Sequence, residues 1–222
     1  MKNRIKREVC FINRLERMES MKKIITISRE FGSGGRTIGK MVAETLGYAF
    51  YDAEIIDEVV KSSGLARDIV EKYDEYATHK NSFLYNIAIN AGGNGYNGMS
   101  IANRVQIAQI GVVKQIAEEG NCVIIGRGAD YILRERNDCL NVFVRADMKF
   151  KADRVLKVYG DNGVKVEDRI TDKDARRRVF YRSFAMREWG AVENYNLVLD
   201  SGVIGLEKCA DIICQIVKQQ DK

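Results

Sequence analysis

Hydrophobic positions along this chain follow two rhythms. Ile24 to Ile27 is an unbroken β-branched run closed by Ser28, the signature of a strand covered on both faces. Cys122–Ile125, Leu140–Val144 and Asn196–Leu199 carry the same short apolar pattern. Elsewhere the apolar residues fall at helical spacing: Ile38, Met41, Val42 and Leu46; Ile55, Ile56, Val59 and Val60; Val105, Ala108, Val112 and Ile116; Leu206, Cys209, Ile213 and Ile216. Each set marks one buried stripe of a helix, and Gly120 supplies a left-handed stop for the third. Buried strands separated by amphipathic helices predict an α/β fold, with five mostly parallel strands wrapped by helices. Residues 65 to 85 are charged and aromatic with weak periodicity, and AGGNGYNGMS at 91 to 100 has no periodicity at all, so a mobile loop is expected there.

The first strand runs straight into Gly32, Ser33, Gly34, Gly35, Arg36 and Thr37. Glycine serves where the chain must take a positive φ or press its backbone against a ligand. A helix starting just after such a loop offers unpaired N–H groups and a positive dipole end, which is an anion site. Three readings compete. A tight turn without a ligand is one, although three glycines in four positions followed by Arg-Thr exceed what a turn needs. A dinucleotide fingerprint is the second, because Asp52 lies about 20 residues on, where an acid meets a ribose hydroxyl; the third glycine of that motif is missing, since position 37 is Thr and Gly39 comes two residues late. A degenerate P-loop is the third, departing from G-x-x-x-x-G-K-[ST]. A second glycine pair, Gly126 and Gly128, flanks Arg127 directly after the Cys122–Ile125 strand. Ligands gather beyond the carboxyl ends of strands in open α/β sheets, so Arg127 is expected to face the same crevice as the glycine loop.

Composition narrows the class. A chain of 222 residues with 45% hydrophobic content has room for a sizeable core. It has no apolar run near the length of a membrane span. Five cysteines, an odd count without C-x-x-C, point to reduced buried thiols and a cytoplasmic setting. Residues 1 to 20 hold six Lys/Arg against three Asp/Glu and lack a secretion signal. They are expected to be a frayed or upstream basic extension ahead of a domain spanning 21 to 222, Met21 standing just before the first strand. Without them the net charge falls from +5 to +2, so neither nucleic acid nor a membrane is an expected partner. The excess sits instead at residues 145 to 187, with 13 Lys/Arg against 7 Asp/Glu and a turn at Tyr159 to Gly163. A basic helical hairpin, a solvated charged face and a nucleic-acid patch all fit that stretch. His79, the one histidine, has no partner in sequence and receives no role.

The run ISREFGSGGRTIGKMVAETLG, then YAFYD, and later CVIIGRGADYIL resemble the cytidylate-kinase-like proteins, a branch of the P-loop nucleoside-monophosphate kinases. The resemblance spans Lys22 to about Gln219 and keeps Thr37, Lys40, Ala43, Glu44, Leu46 and Asp52 in step. It implies a P-loop NTPase fold with an acceptor-binding arm at about 53–104 and a helical lid at about 147–187. It also implies phosphoryl transfer from ATP, with Mg²⁺, to a small acceptor such as a nucleoside monophosphate. Gly32, Ser33, Gly34 and Gly35 would cradle the donor phosphates, and Thr37 would reach the metal. Gly35 stands where the P-loop lysine belongs, and Arg36 beside it is the natural substitute, always charged and suited to bidentate phosphate contact. Arg127 and Arg177 would hold acceptor or transferring phosphate, and Asp174, in the D-x-x-R of the lid, would orient lid and acceptor. Tyr181 and Trp189-Gly190 follow the same pattern, and Leu199-Asp200-Ser201 resembles the closing Leu-Asp-Ser. The cytidylate signature changes at three places: its serine is Ala53, its arginine is Glu58 and the acid after Arg127 is Gly128. A changed acceptor is therefore expected. A nucleotide-binding regulatory module without turnover and a dinucleotide-dependent oxidoreductase are the alternatives.

Overall fold

The computed structural model describes residues 23–72 and 101–219. The expected N-terminal extension, His79, the glycine-rich loop at 91–100 and much of the acceptor arm lie outside the described residues.

The central strand β1 (Ile24–Arg29) is buried along its whole length. Around it the sheet runs β2-β3-β1-β4-β5, where β2 is Ala49–Tyr51, β3 Cys122–Ile125, β4 Cys139–Arg145 and β5 Leu197–Asp200. Every one of its four pairings is parallel. The β-branched runs earn this place because a strand between two helical layers has no solvated face. Alternation along β1 sorts the layers. Ile25 and Ile27 join Val123, Ile125, Val142 and Val144 beneath α1 (Gly35–Leu46) and α9 (Leu206–Gln219). Ile24 faces the other way with Ile124 and Phe143, against α2 (Glu54–Ser63), α4 (Ile101–Glu119) and α7 (Val166–Ala185).

That second face turns polar toward the carboxyl edge of the sheet. The Thr26 hydroxyl donates to Asn141 Oδ1 at 2.7 Å, and the Ser28 hydroxyl to Asp130 Oδ1 at 3.3 Å. Short helices α3 (Arg67–Lys72), α5 (Ala129–Ile132) and α8 (Ser201–Ile204) complete the described fold. The basic stretch forms the expected hairpin, α6 (Met148–Tyr159) followed by α7. Its turn uses Gly160 and Gly163, both at positive φ, and Arg169 closes it by donating to the Gly160 carbonyl at 2.8 Å. Cys122, Cys139, Cys209 and Cys214 are all buried, as small core residues.

Gly39 is a packing glycine. A Cβ there would lie 2.6 Å from Ile125 Cδ1 and 3.2 Å from Ile27 Cδ1, so its absence lets α1 rest on the sheet. Gly39→Ala gains up to about 1 kcal/mol of helix propensity but overpacks the core at a cost of about 1–3 kcal/mol. The expected net result is a melting temperature a few degrees lower, read by thermal denaturation. An unchanged or higher value would mean that Ile125 and Ile27 yield freely.

Candidate active site

At the end of β1 the chain turns through Glu30 to Gly34 into α1, with Gly32 at φ 87° and Gly34 at φ 84°. No side chain caps α1. Its first-turn N–H groups, which have no acceptor within the helix, are therefore open toward the carboxyl edge of the sheet. Ser33 is bonded within the loop and to β4. Its side chain is fully buried, its hydroxyl lies 2.9 Å from the Glu30 carbonyl and 3.0 Å from that of Val144, and its N–H donates to Glu30 at 3.2 Å. The Ser33 hydroxyl thus braces the loop. The Ser201 hydroxyl holds the loop from the other side, donating to the Ser33 carbonyl at 2.6 Å.

The two residues after the glycines have partners. Arg36, whose side chain is 63% exposed, donates from Nε to Asp52 Oδ2 at 2.6 Å. The residue expected to replace the P-loop lysine is therefore engaged at the end of β2. The Thr37 hydroxyl accepts a 2.6 Å hydrogen bond from the Arg154 guanidinium of α6. A cation of the lid thus occupies one lone pair of the oxygen expected to meet the metal. Beside Asp52, the Glu54 carboxylate accepts the Asp52 N–H at 3.0 Å. Hydrogen bonds from its own and the Asp52 backbone hold its pKa below the ordinary range.

The α6–α7 hairpin, the expected lid, is fastened to the loop by a buried ionic group. Asp174 accepts the Phe31 N–H at 2.7 Å, meets Arg177 at 3.3 Å and lies 3.7 Å from Lys151 Nζ, which also reaches Glu30 at 3.0 Å. Arg177 donates further to the Arg29 carbonyl at 3.0 Å. Phe31 sits among Ala152, Val155 and Ile170 of α6 and α7, under the ring of Tyr159 and the ammonium of Lys173. Desolvation dominates at Asp174 and raises its pKa, although the Phe31 N–H, Arg177 and Lys151 pull it down.

Arg127 and Arg177 meet at one recess. Ser28, Tyr181 and Trp189 share its lining, and the two arginines are 1% and 4% exposed. Arg127 holds a left-handed backbone, φ 60°, between two left-handed glycines, and Gln109 fixes its carbonyl from α4 at 2.7 Å. Its guanidinium lies 3.5 Å from the Asp52 carbonyl, which links the recess to β2. Asp130 accepts the Tyr181 hydroxyl at 2.7 Å. Burial and that carboxylate push the Tyr181 pKa well above the phenol range, so it stays a donor.

The match to the family model for the cytidylate kinase-like family covers residues 24–203. The chain belongs to that family. Two curated relatives are cytidylate kinases: one from Pyrococcus horikoshii is 26% identical, over 87% of this chain and 90% of its own, and one from Archaeoglobus fulgidus is 27% identical, over 87% and 94%. An uncharacterized protein from Eubacterium ventriosum has a similar fold, with a TM-score of 0.65 at 23% identity, covering 88% of this chain and 98% of its own. The sheet places β1 between β3 and β4. Asp52 lies at the end of a strand paired with β3 and not with β1, an arrangement that does not favour the dinucleotide reading.

Set on that fold, Gly32, Gly34, Gly35, Arg36 and Thr37 gather at the start of α1, while Arg127 and Arg177 gather at the recess. Asp174 lies buried between the loop and the lid. Sequence reasoning missed Arg29, Glu30, Phe31, Lys151 and Arg154. The signal for Arg29 was its position at the end of β1, and for Lys151 and Arg154 their three-residue spacing on one face of a basic helix.

Proposed function

We propose that this protein transfers the γ-phosphoryl group of ATP to a small phosphorylated acceptor without selecting cytosine. The observation that carries this reading is the pairing, at one edge of the sheet, of an uncapped helix start with a recess lined by two buried arginines. Membership of the cytidylate kinase-like family and the names of the two archaeal relatives support it. The open N–H groups of α1 suit the donor phosphates. Arg127 and Arg177 suit the acceptor phosphate and the charge that spreads over a phosphoryl group in flight. The bond from the γ-phosphorus to its bridging oxygen breaks, ADP leaves with that electron pair, and an acceptor oxygen forms the new bond.

The residues present fit Mg²⁺, which keeps several waters and phosphate oxygens and asks little of the protein. Thr37 would be the residue to hold it, and the ion would supply neutralisation of phosphate charge. Arg154 ties the lid helix α6 to the start of α1, and Arg36 ties that start to Asp52, so donor and acceptor sides are held in one register.

The residues that the cytidylate pattern places at positions 53, 58 and 128 are absent at those positions. A Cβ at Gly128 would lie 2.8 Å from the Phe184 ring on a backbone at φ 65°, so an acid is excluded there. Glu58 lies on an exposed face of α2, bonded to Lys61 at 2.7 Å. Ala53 offers no hydroxyl. A site built to hydrogen-bond a base rejects analogues only while its own polar groups are in place.

Thermal denaturation with ATP-Mg, NAD and nucleoside monophosphates tests the donor. A ligand at a hundredfold excess over its Kd stabilises by about 2.7 kcal/mol, or roughly 5–10 °C for a chain of this length. ATP-Mg is expected to produce such a shift and NAD none. An ADP-release assay over nucleotide and sugar-phosphate acceptors tests the rest. CMP turnover at about 1–100 per second with preference over UMP and AMP would overturn the acceptor reading. ATP stabilisation with no ADP release from any acceptor would favour the regulatory alternative.

A further inference from the structure

The position of the missing lysine is physically closed. A Cβ on Gly35 would start 2.5 Å from Arg29 Cβ and 2.9 Å from Arg29 Cγ, whereas carbon atoms not bonded to each other rest about 3.5–4.0 Å apart. Side chains at 29 and 35 therefore compete for one volume, and in this chain Arg29 has it. Arg29 leaves the last position of β1, paired in register with Val144. Its side chain is 6% exposed and its guanidinium comes within 4.0 Å of Asp52 Oδ1. That oxygen has no hydrogen bond, while the other oxygen of Asp52 takes Arg36. The Arg29 charge thus lies between the glycine loop and the acceptor strand β2, reached past the α-carbon where a P-loop lysine would begin.

Resting on the phosphotransfer reading above, we propose that Arg29 supplies from β1 the positive charge that a lysine at position 35 would supply from the loop. The two residues are alternative solutions and cannot coexist. Arg36 and Arg154 are differently placed: Arg36 is mostly exposed at Asp52, and Arg154 comes from the lid to the Thr37 hydroxyl.

The exchange is tested by moving the charge. Gly35→Lys alone is expected to lower the melting temperature by several degrees and to bring no gain in ATP-Mg binding, because Arg29 fills the space. Arg29→Met, which keeps an apolar stem and removes the charge, is expected to lower kcat about 100-fold, with Arg29→Lys restoring at least tenfold of that loss. The double variant Arg29→Ala/Gly35→Lys opens the volume and refills it with a lysine. It is expected to melt higher than Gly35→Lys and to turn over at least tenfold faster than Arg29→Met. An unchanged melting temperature for Gly35→Lys would overturn the exclusion. Turnover of Arg29→Met within threefold of wild type, or a double variant no better than the single ones, would overturn the charge assignment. If the wild-type protein neither releases ADP nor is stabilised by ATP-Mg, the phosphotransfer reading falls and takes the charge assignment with it. The exclusion between Arg29 and position 35 is still decided by the melting temperatures.

Discussion

Asp174→Ala is expected to lower the melting temperature by roughly 10 °C. Truncating one member of a buried ionic group costs about 3–5 kcal/mol because its partners keep their charge without their counterion, and 1 kcal/mol moves the midpoint of a domain of this length by about 2–4 °C. Here the stranded groups are Arg177 and Lys151, with the Phe31 N–H losing its acceptor as well. Glu30 still holds Lys151 and the Arg29 carbonyl still holds Arg177, which puts the cost at the lower end of that range. Asp174→Asn should be milder, since an amide oxygen can still accept from Phe31. The pH response separates this group from an ordinary surface ion pair. Its folded pKa is raised, chiefly by desolvation, so the native state binds this proton more tightly than the unfolded chain. The contribution of Asp174 to stability is then greatest below the unfolded value, near 3.9, and declines as pH rises through the folded one. Subtracting the stability–pH curve of Asp174→Asn from that of wild type isolates the term. A difference that grows in favour of wild type with rising pH would show that ion pairing outweighs burial. A loss of less than about 3 °C for Asp174→Ala would mean that the lid is not fastened through this carboxylate.

This clamp also marks the limit of what the sequence could convey. The strands, the helices on either side and the glycine loop were legible because each is a local pattern: a β-branched run, an apolar stripe, glycines at a turn. The D-x-x-R of the lid was legible as a motif, and its arginine does line the recess with Arg127. What stayed hidden was the direction of Asp174, which turns toward the backbone of a residue 143 positions away. The Ser33 hydroxyl was hidden for the same reason: it is used by carbonyls of the loop and of β4, the second of them 111 residues away. Gly35 was read as a lost lysine with Arg36 as its neighbouring substitute. The steric cause, the Arg29 stem, depends on how closely β1 and α1 approach, which no spacing along the chain encodes.

Arg127 combines a strained backbone with a buried charge, and its two substitutions should separate those roles. A non-glycine residue in the left-handed region costs of order 1–3 kcal/mol and persists only where its surroundings impose it. Gly126 and Gly128 on either side share that region, and the Gln109 amide holds the Arg127 carbonyl in place. Arg127→Gly removes the strain together with the side chain, whereas Arg127→Ala removes the side chain and keeps most of the strain. The glycine variant is therefore expected to melt higher than the alanine variant by a few degrees. Both lose the guanidinium from the recess, so both should lose acceptor use alike. Truncating one partner of a buried, hydrogen-bonded charge contact costs about 2–5 kcal/mol, which corresponds to a fall of at least about 30-fold in kcat/KM for the acceptor at 1.36 kcal/mol per decade. The affinity for ATP-Mg should change little, because the proposed donor site is built from the loop and the start of α1. Acceptor titrations at saturating ATP, with thermal denaturation of the same two variants, measure both quantities. Equal melting temperatures would mean that the left-handed backbone carries no cost at Arg127. Unimpaired acceptor use in either variant would remove Arg127 from the site.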